Sequence, residues 1–175
     1  MSKSIANMQS QHARLPLVRA LTSSPDKCAG LRALGITPLL GNLDDAASLQ
    51  RLAGLAQRVV HLAPPAGFAS GTAVSVPPAA GDQRSRHLLR ALVRRANQAP
   101  RVVYGSTSGV YGDWQGAWVH ETTPLAATTA RALRRVDAEQ QLRRWALRHR
   151  RQGAAVHVLR IPGIYAVDRE GGTPL

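Results

Sequence analysis

The sequence predicts an α/β fold built on a parallel sheet, and three observations carry that prediction. Short apolar runs alternate with longer stretches of helical spacing between Leu17 and Ile161, the order that parallel strands joined by right-handed crossovers require. One run, Val102-Val103-Tyr104, has no polar alternation, as a strand buried on both faces reads. It breaks at once into Gly105, the hydroxyl residues Ser106, Thr107 and Ser108, and Gly109. Open α/β sheets bind ligands beyond the carboxyl ends of their strands, so hydroxyls there stand where chemistry can occur. A serine-rich turn is the alternative reading.

Taken in order, residues 17–21 (LVRAL) read as a strand, and Thr22-Ser23-Ser24-Pro25 as a turn in which Ser24 caps a helix over 25–34. Residues 36–40 (ITPLL) form a second strand, placed near a sheet edge by Pro38. Asp44 or Asp45 then caps a helix to about residue 57, with Leu49, Leu52, Ala53 and Ala56 on its apolar stripe. Residues 58–63 (RVVHLA) make the third strand, in which His61 reads as a hydrogen-bonded core histidine. The Pro-, Gly-, Ala- and Ser-rich stretch 64–81 is irregular. A helix over 82–97 buries Leu88, Leu89, Leu92 and Val93 and turns Arg86, Arg90 and Arg94 outward. After the strand at 101–105 a loop runs to about residue 123, a long helix covers about 124–152, and a fifth strand covers 155–161. Trp114 and Trp118 in the loop either stack on a substrate or anchor the loop itself.

A chain of 175 residues with 44% hydrophobic content fits one soluble domain with a substantial core. No apolar run approaches the ~20 residues that span a bilayer, so no membrane partner is expected. The opening MSKSIANMQSQHAR lacks the apolar centre of a secretory signal, and Cys28, the single cysteine, can form no internal disulfide. A cytoplasmic location is therefore expected, with Cys28 an inert helix residue. The organisation expected is a flexible segment over 1–16, a domain over 17–169 and a loose tail over 170–175. The histidines show no metal-ligand spacing. The net charge of +13 admits a nucleic-acid partner, with the arginines of the long helix on phosphates, or merely a composition biased toward arginine.

Four stretches, VRALTSSPDK, GNLDDAASL, VVHLAPPA, and VVYGSTSGVYGD with the closing LRIPGIYAVDR, occur in an order that resembles the short-chain dehydrogenase/reductase superfamily, in its extended and atypical branch of NAD-dependent epimerase/dehydratase-like proteins. The resemblance covers residues 17–169. It implies a Rossmann-like sheet with helices on both faces, an NAD(P) cofactor and a small-molecule carbonyl or sugar-nucleotide substrate. It places Thr22, Ser23, Ser24 and Lys27 at the adenosine ribose, where the lack of an acid leans toward NADP. Asn42 and Leu43 fall at the adenine, Leu62, Ala63, Pro64 and Ser106 along the cofactor, and Pro162, Gly163 and Ile164 at the nicotinamide. Thr107 aligns with the catalytic hydroxyl residue.

The chain departs from the family's pattern in two ways. The family's acid–base tyrosine, and the lysine four residues later that lowers its pKa, fall on Arg131 and Arg135. A guanidinium stays protonated at ordinary pH and cannot replace a phenol; Tyr111 and His120 are then the nearest candidate acids by sequence, although each reads first as a structural residue. Second, no glycine precedes Gly30, whereas the family opens on a glycine-rich turn that lets backbone approach the pyrophosphate. The resemblance thus implies a first βα unit missing, a chain cut at both ends, and weak or lost activity. The alternative is a non-enzymatic basic module that binds nucleic acid.

Overall fold

The computed structural model describes residues 17–66, 81–93 and 98–163. The expected flexible segment 1–16, the tail 170–175 and Ile164 lie outside the described residues. Chain contacts divide the protein into two units, Met1–Asn42 and Leu43–Leu175.

In the first unit, β1 (Arg19–Thr22) and β2 (Thr37–Leu40) pair in parallel, Arg19 opposite Thr37 and Thr22 opposite Leu40. The crossover is α1 (Lys27–Ala33), which buries Cys28. This helix starts two residues later than the sequence suggests, and Ser24 does not cap it. The backbone N–H of Ser24 donates instead to Thr22 Oγ1 at 3.2 Å, a local hydroxyl turn that competes with capping. Pro38 is tolerated because β2 has one partner strand.

In the second unit, β3 (Arg58–His61), β4 (Arg101–Thr107) and β5 (Ala155–Ile161) form a parallel sheet in the order β3-β4-β5. The central β4 has Val102 and Tyr104 fully buried, as its unbroken apolar run requires. Against them pack Leu88, Leu89 and Leu92 of α2 (Gln83–Val93) and Ala138, Leu142 and Trp145 of α3 (Ala130–Arg148). Alternation along the strands turns Val59, Val156 and Val158 to this core and leaves Val60 and Leu159 exposed. Among the described residues the five strands make two parallel sheets, and the α/β, Rossmann-like class holds.

Other element bounds also differ from the sequence reading. The stretch after Asp45 is a 3₁₀-helix, Ala46–Leu52, rather than an α-helix to residue 57. Its buried Leu49 and half-buried Leu52 stand three apart, a spacing that both helix types share. β4 runs on through Thr107 into a 3₁₀ turn, Ser108–Tyr111, where a loop was expected. And α3 begins at Ala130, because Thr129 Oγ1 accepts the backbone N–H of Ala132 and fixes the helix start there.

Candidate functional site

At the carboxyl end of β4 the backbone carries Gly105, Ser106 and Thr107 into a cavity of about 560 Å³. Its walls come from Leu62 after β3, Ile161, Pro162 and Gly163 at the end of β5, and Thr129, Arg131, Ala132 and Arg135 at the head of α3. Gly105 is needed for this closure: a Cβ there would lie 3.0 Å from Leu62 Cδ2 and 3.6 Å from Ile161 Cδ1.

Ser106 and Thr107 leave the strand on opposite sides, as extended geometry demands. Ser106 is buried and its Oγ donates to Glu139 Oε1 at 2.7 Å. The half-buried Thr107 accepts the backbone N–H of Gly109 at 3.3 Å, which holds its hydroxyl at the cavity wall. Glu139 is fully buried and also accepts Arg160 Nη2 at 2.9 Å. Arg160 Nη1 donates in turn to Tyr111 Oη at 2.8 Å, and its guanidinium lies 4.8 Å from that ring's centroid. The carboxylate of Glu139 holds the Arg160 guanidinium well above its ordinary range.

A second buried network meets the cavity's Arg135 through Tyr104. Ser85 Oγ donates to Asp82 Oδ2 at 2.6 Å and meets His61 Nε2 at 3.0 Å. With the serine proton given to Asp82, the hydrogen in the His61 contact belongs to Nε2. Burial foremost, then the charges of Arg135 and Arg84, push His61 down to about 4, so it is neutral near pH 7. Burial also raises Asp82 against the pull of its Ser85 hydrogen bond. Tyr104, its ring 5.2 Å from that of His61, is pushed up to about 12 by burial. Its hydroxyl accepts Arg135 Nη1 at 2.9 Å, and the same nitrogen donates to Gly105 O at 2.7 Å.

Of the residues singled out from sequence, the cavity brings together Leu62, Ser106, Thr107, Pro162 and Gly163 with Arg131 and Arg135. Ala63 is half-buried beside Leu62, while Pro64 is exposed and its carbonyl accepts Arg84 Nη1. The carbonyl of Leu43 accepts His87 Nδ1 at 2.8 Å. In the first unit, Thr22 ends β1, Ser23 and Ser24 follow it, Lys27 opens α1, and Asn42 closes the unit. Tyr111 is buried against Arg160 and is not among the residues that line the cavity. His120 is exposed, its backbone N–H donating to Thr123 Oγ1. Trp114 Nε1 donates to Tyr111 O and anchors its loop, whereas Trp118 is 90% exposed. Sequence reasoning missed Glu139, Arg160, Asp82 and Ser85; the available signal was Arg160, a charge inside the apolar run of β5.

Among the described residues, no group of three or more His, Cys, Asp or Glu is placed to hold a metal. No described helix is long and apolar enough to cross a membrane.

No protein-family model matches the sequence, and comparison with curated proteins gives no match. Solved structures do match. The dTDP-glucose 4,6-dehydratase DesIV of Streptomyces venezuelae, a double mutant with NAD and DAU bound, has 26% identity and a TM-score of 0.61, over 83% of this chain and 47% of that one. The UDP-glucuronic acid 4-epimerase of Bacillus cereus in complex with NAD has 18% identity and a TM-score of 0.57, over 85% and 49%. RMD from Pseudomonas aeruginosa, complexed with NADPH, has 21% identity and a TM-score of 0.57, over 83% and 53%. The chain has the fold of the NAD-dependent epimerases/dehydratases and of the short-chain dehydrogenase/reductase superfamily. It spans about half the length of these three structures.

Proposed function

We propose that this chain is a nicotinamide-dinucleotide-binding unit of the extended short-chain dehydrogenase/reductase type, with weak or lost oxidoreductase or epimerase activity. The observation that carries the reading is the cavity beyond β4, where Leu62, Ser106, Thr107, Pro162 and Gly163, each assigned to cofactor or catalysis by resemblance, meet. The volume of about 560 Å³ suits a ring and its ribose. A nicotinamide cofactor supplies hydride chemistry when bound. Thr107 would then hydrogen-bond the substrate oxygen that gains or loses a proton.

Two features support weak activity. Arg131 and Arg135 line the wall where the family carries its phenol and ammonium, and neither guanidinium exchanges a proton near neutral pH. No glycine precedes Gly30, so the sequence before the ribose turn Thr22-Ser23-Ser24 has no counterpart of the glycine-rich turn that lets backbone approach a pyrophosphate. With Lys27 nearby and no acid among those three residues, this turn favours a 2′-phosphate and hence NADP over NAD. Calorimetric titration with NADPH and NADH tests the reading. Weak binding, in the range of ~0.1–1 mM and tighter for NADPH, is expected. No heat with either cofactor at about 10 mM would remove the dinucleotide reading, and submicromolar binding would show that a phosphate cradle has been missed.

A second reading, a nucleic-acid-binding module, is favoured by one observation. Arg86 and Arg90 of α2 and Arg144 and Arg148 of α3 line one groove of about 370 Å³, and none of the four forms an ion pair among the described residues. Duplex binding through it would weaken with salt at a log–log slope of about −0.9 per phosphate contact. Absence of binding to labelled duplex at low salt removes this reading.

A further inference from the structure

We propose that the cavity beyond β4 is an oxyanion site, which takes the carboxylate or phosphate of a small ligand between Arg131 and Arg135 with the Thr107 hydroxyl beside it. The proposal takes from the functional reading only the place of the cavity; it needs no dinucleotide.

Three observations converge on it. Arg135 is 7% exposed, lines the cavity, and has no carboxylate within ion-pair distance among the described residues. Its hydrogen-bond partners, Tyr104 Oη and Gly105 O, are neutral acceptors reached through Nη1 alone, and its buried Nε has no partner. A buried charge with no counter-charge in contact is costly, and a buried donor left unpaired adds to the cost. An anion in the cavity would offset both.

The second observation is the helix terminus. The first turn of α3, a helix of 19 residues, faces the cavity through Thr129, Arg131 and Ala132 and contains no acid. Cations here oppose the helix dipole, whose positive end favours anions, so Arg131 is misplaced for helix stability and well placed for an anionic ligand. Third, none of the cavity's lining residues is acidic. Both buried carboxylates nearby are engaged, Glu139 by Ser106 and Arg160, and Asp82 by Ser85 and the backbone N–H of Arg84. Guanidinium groups match the planar geometry of carboxylate and phosphate oxygens, and they hold that charge at any ordinary pH.

Calorimetric titration of the full chain with inorganic phosphate in one arm and oxalate in the other tests the site without any dinucleotide. The wild-type chain is expected to bind at least one probe, and the tighter arm tells phosphate ligands from carboxylates. Arg131→Gln should weaken binding about tenfold or more, and Arg135→Gln should do the same. The double variant Arg144→Gln, Arg148→Gln, in the groove between α2 and α3, should leave it unchanged. If Arg135→Gln does not fold, Arg131→Gln, at an exposed position, decides. Failure of both probes to bind at about 10 mM overturns the proposal, as does binding that survives the cavity variants or is lost in the groove variant. Binding of oxyanions without any of NADPH or NADH would leave this inference standing while removing the cofactor reading, and the converse result would do the reverse.

Discussion

His61 makes stability depend on pH in a way that can be calculated and isolated. The folded chain holds this residue at about 4 by burial and by the charges of Arg135 and Arg84, while the unfolded chain titrates at about 6.5. Between these values the unfolded state binds a proton that the folded state refuses, so stability is complete above about pH 6.5 and is lost as pH falls toward 4. The difference of about 2.5 units corresponds to about 3 kcal/mol in full, and to about 2 kcal/mol by pH 4.5. Asp82, joined to His61 through Ser85, works in the opposite sense. Its raised value lets the folded state keep a proton that the unfolded state releases, which offsets part of the loss at the acid end. Comparison with His61→Gln separates the two, because glutamine can still donate to Ser85 Oγ and carries no titrating group. Urea unfolding followed by tryptophan fluorescence at pH 4.5, 5.5 and 7 should give a wild-type stability that falls about 2 kcal/mol further than that of the variant. Parallel pH profiles, differing by less than about 0.5 kcal/mol in slope over that range, would refute the placement of a neutral His61 in the core.

Three other substitutions test the site and its surroundings. Glu139→Gln leaves the Arg160 guanidinium without its fully buried counter-charge, and should destabilise by about 3 kcal/mol, the low end for a broken buried pair because Tyr111 Oη and Glu121 O still accept from Arg160; a urea midpoint shift of about 1–3 M reads it. Gly112→Ala meets both a φ of 76° and the carbonyl of Ala126, so a loss of about 2–4 kcal/mol in the same assay is expected. Thr107→Ala removes only the local bond to Gly109, should cost about 1 kcal/mol, and should change any NADPH turnover slightly, since Arg131 offers the hydroxyl no acid–base partner; a large loss of turnover would mean another proton donor acts there.

The central strand was legible in the sequence because a run without polar alternation has few other uses, and the observed β4 buries Val102 and Tyr104 as that run implies. The apolar stripe of α2 was legible for a different reason: its helical periodicity is strong over many residues. Helix ends were less so. Neither Ser24 nor Pro124 starts its helix, because Thr22 and Thr129 make competing local bonds that composition does not rank. The 3₁₀ form of Ala46–Leu52 was hidden because Leu49 and Leu52 satisfy either helical spacing. The cavity's hydroxyl wall could be placed from Gly105-Ser106-Thr107 alone. Its charged surroundings could not: Ser106 meets Glu139 thirty-three residues on, and Glu139 meets Arg160 a further twenty-one on. Such pairings belong to the packing of α3 across the sheet, and one sequence carries no record of them.

The proposed cofactor site stands or falls on where a dinucleotide lands, and amide chemical shifts during an NADPH titration report that residue by residue. In the second unit, shifts are expected at Leu62 and Ala63, through Gly105 to Gly109, and at Gly163, around the cavity beyond β4, and they should move with Arg131→Gln. Shifts confined to the wider cleft of about 1080 Å³ at the amino ends of β3 and β4, lined by Arg58, Arg101 and Arg151, or no shifts at about 10 mM NADPH, would contradict it.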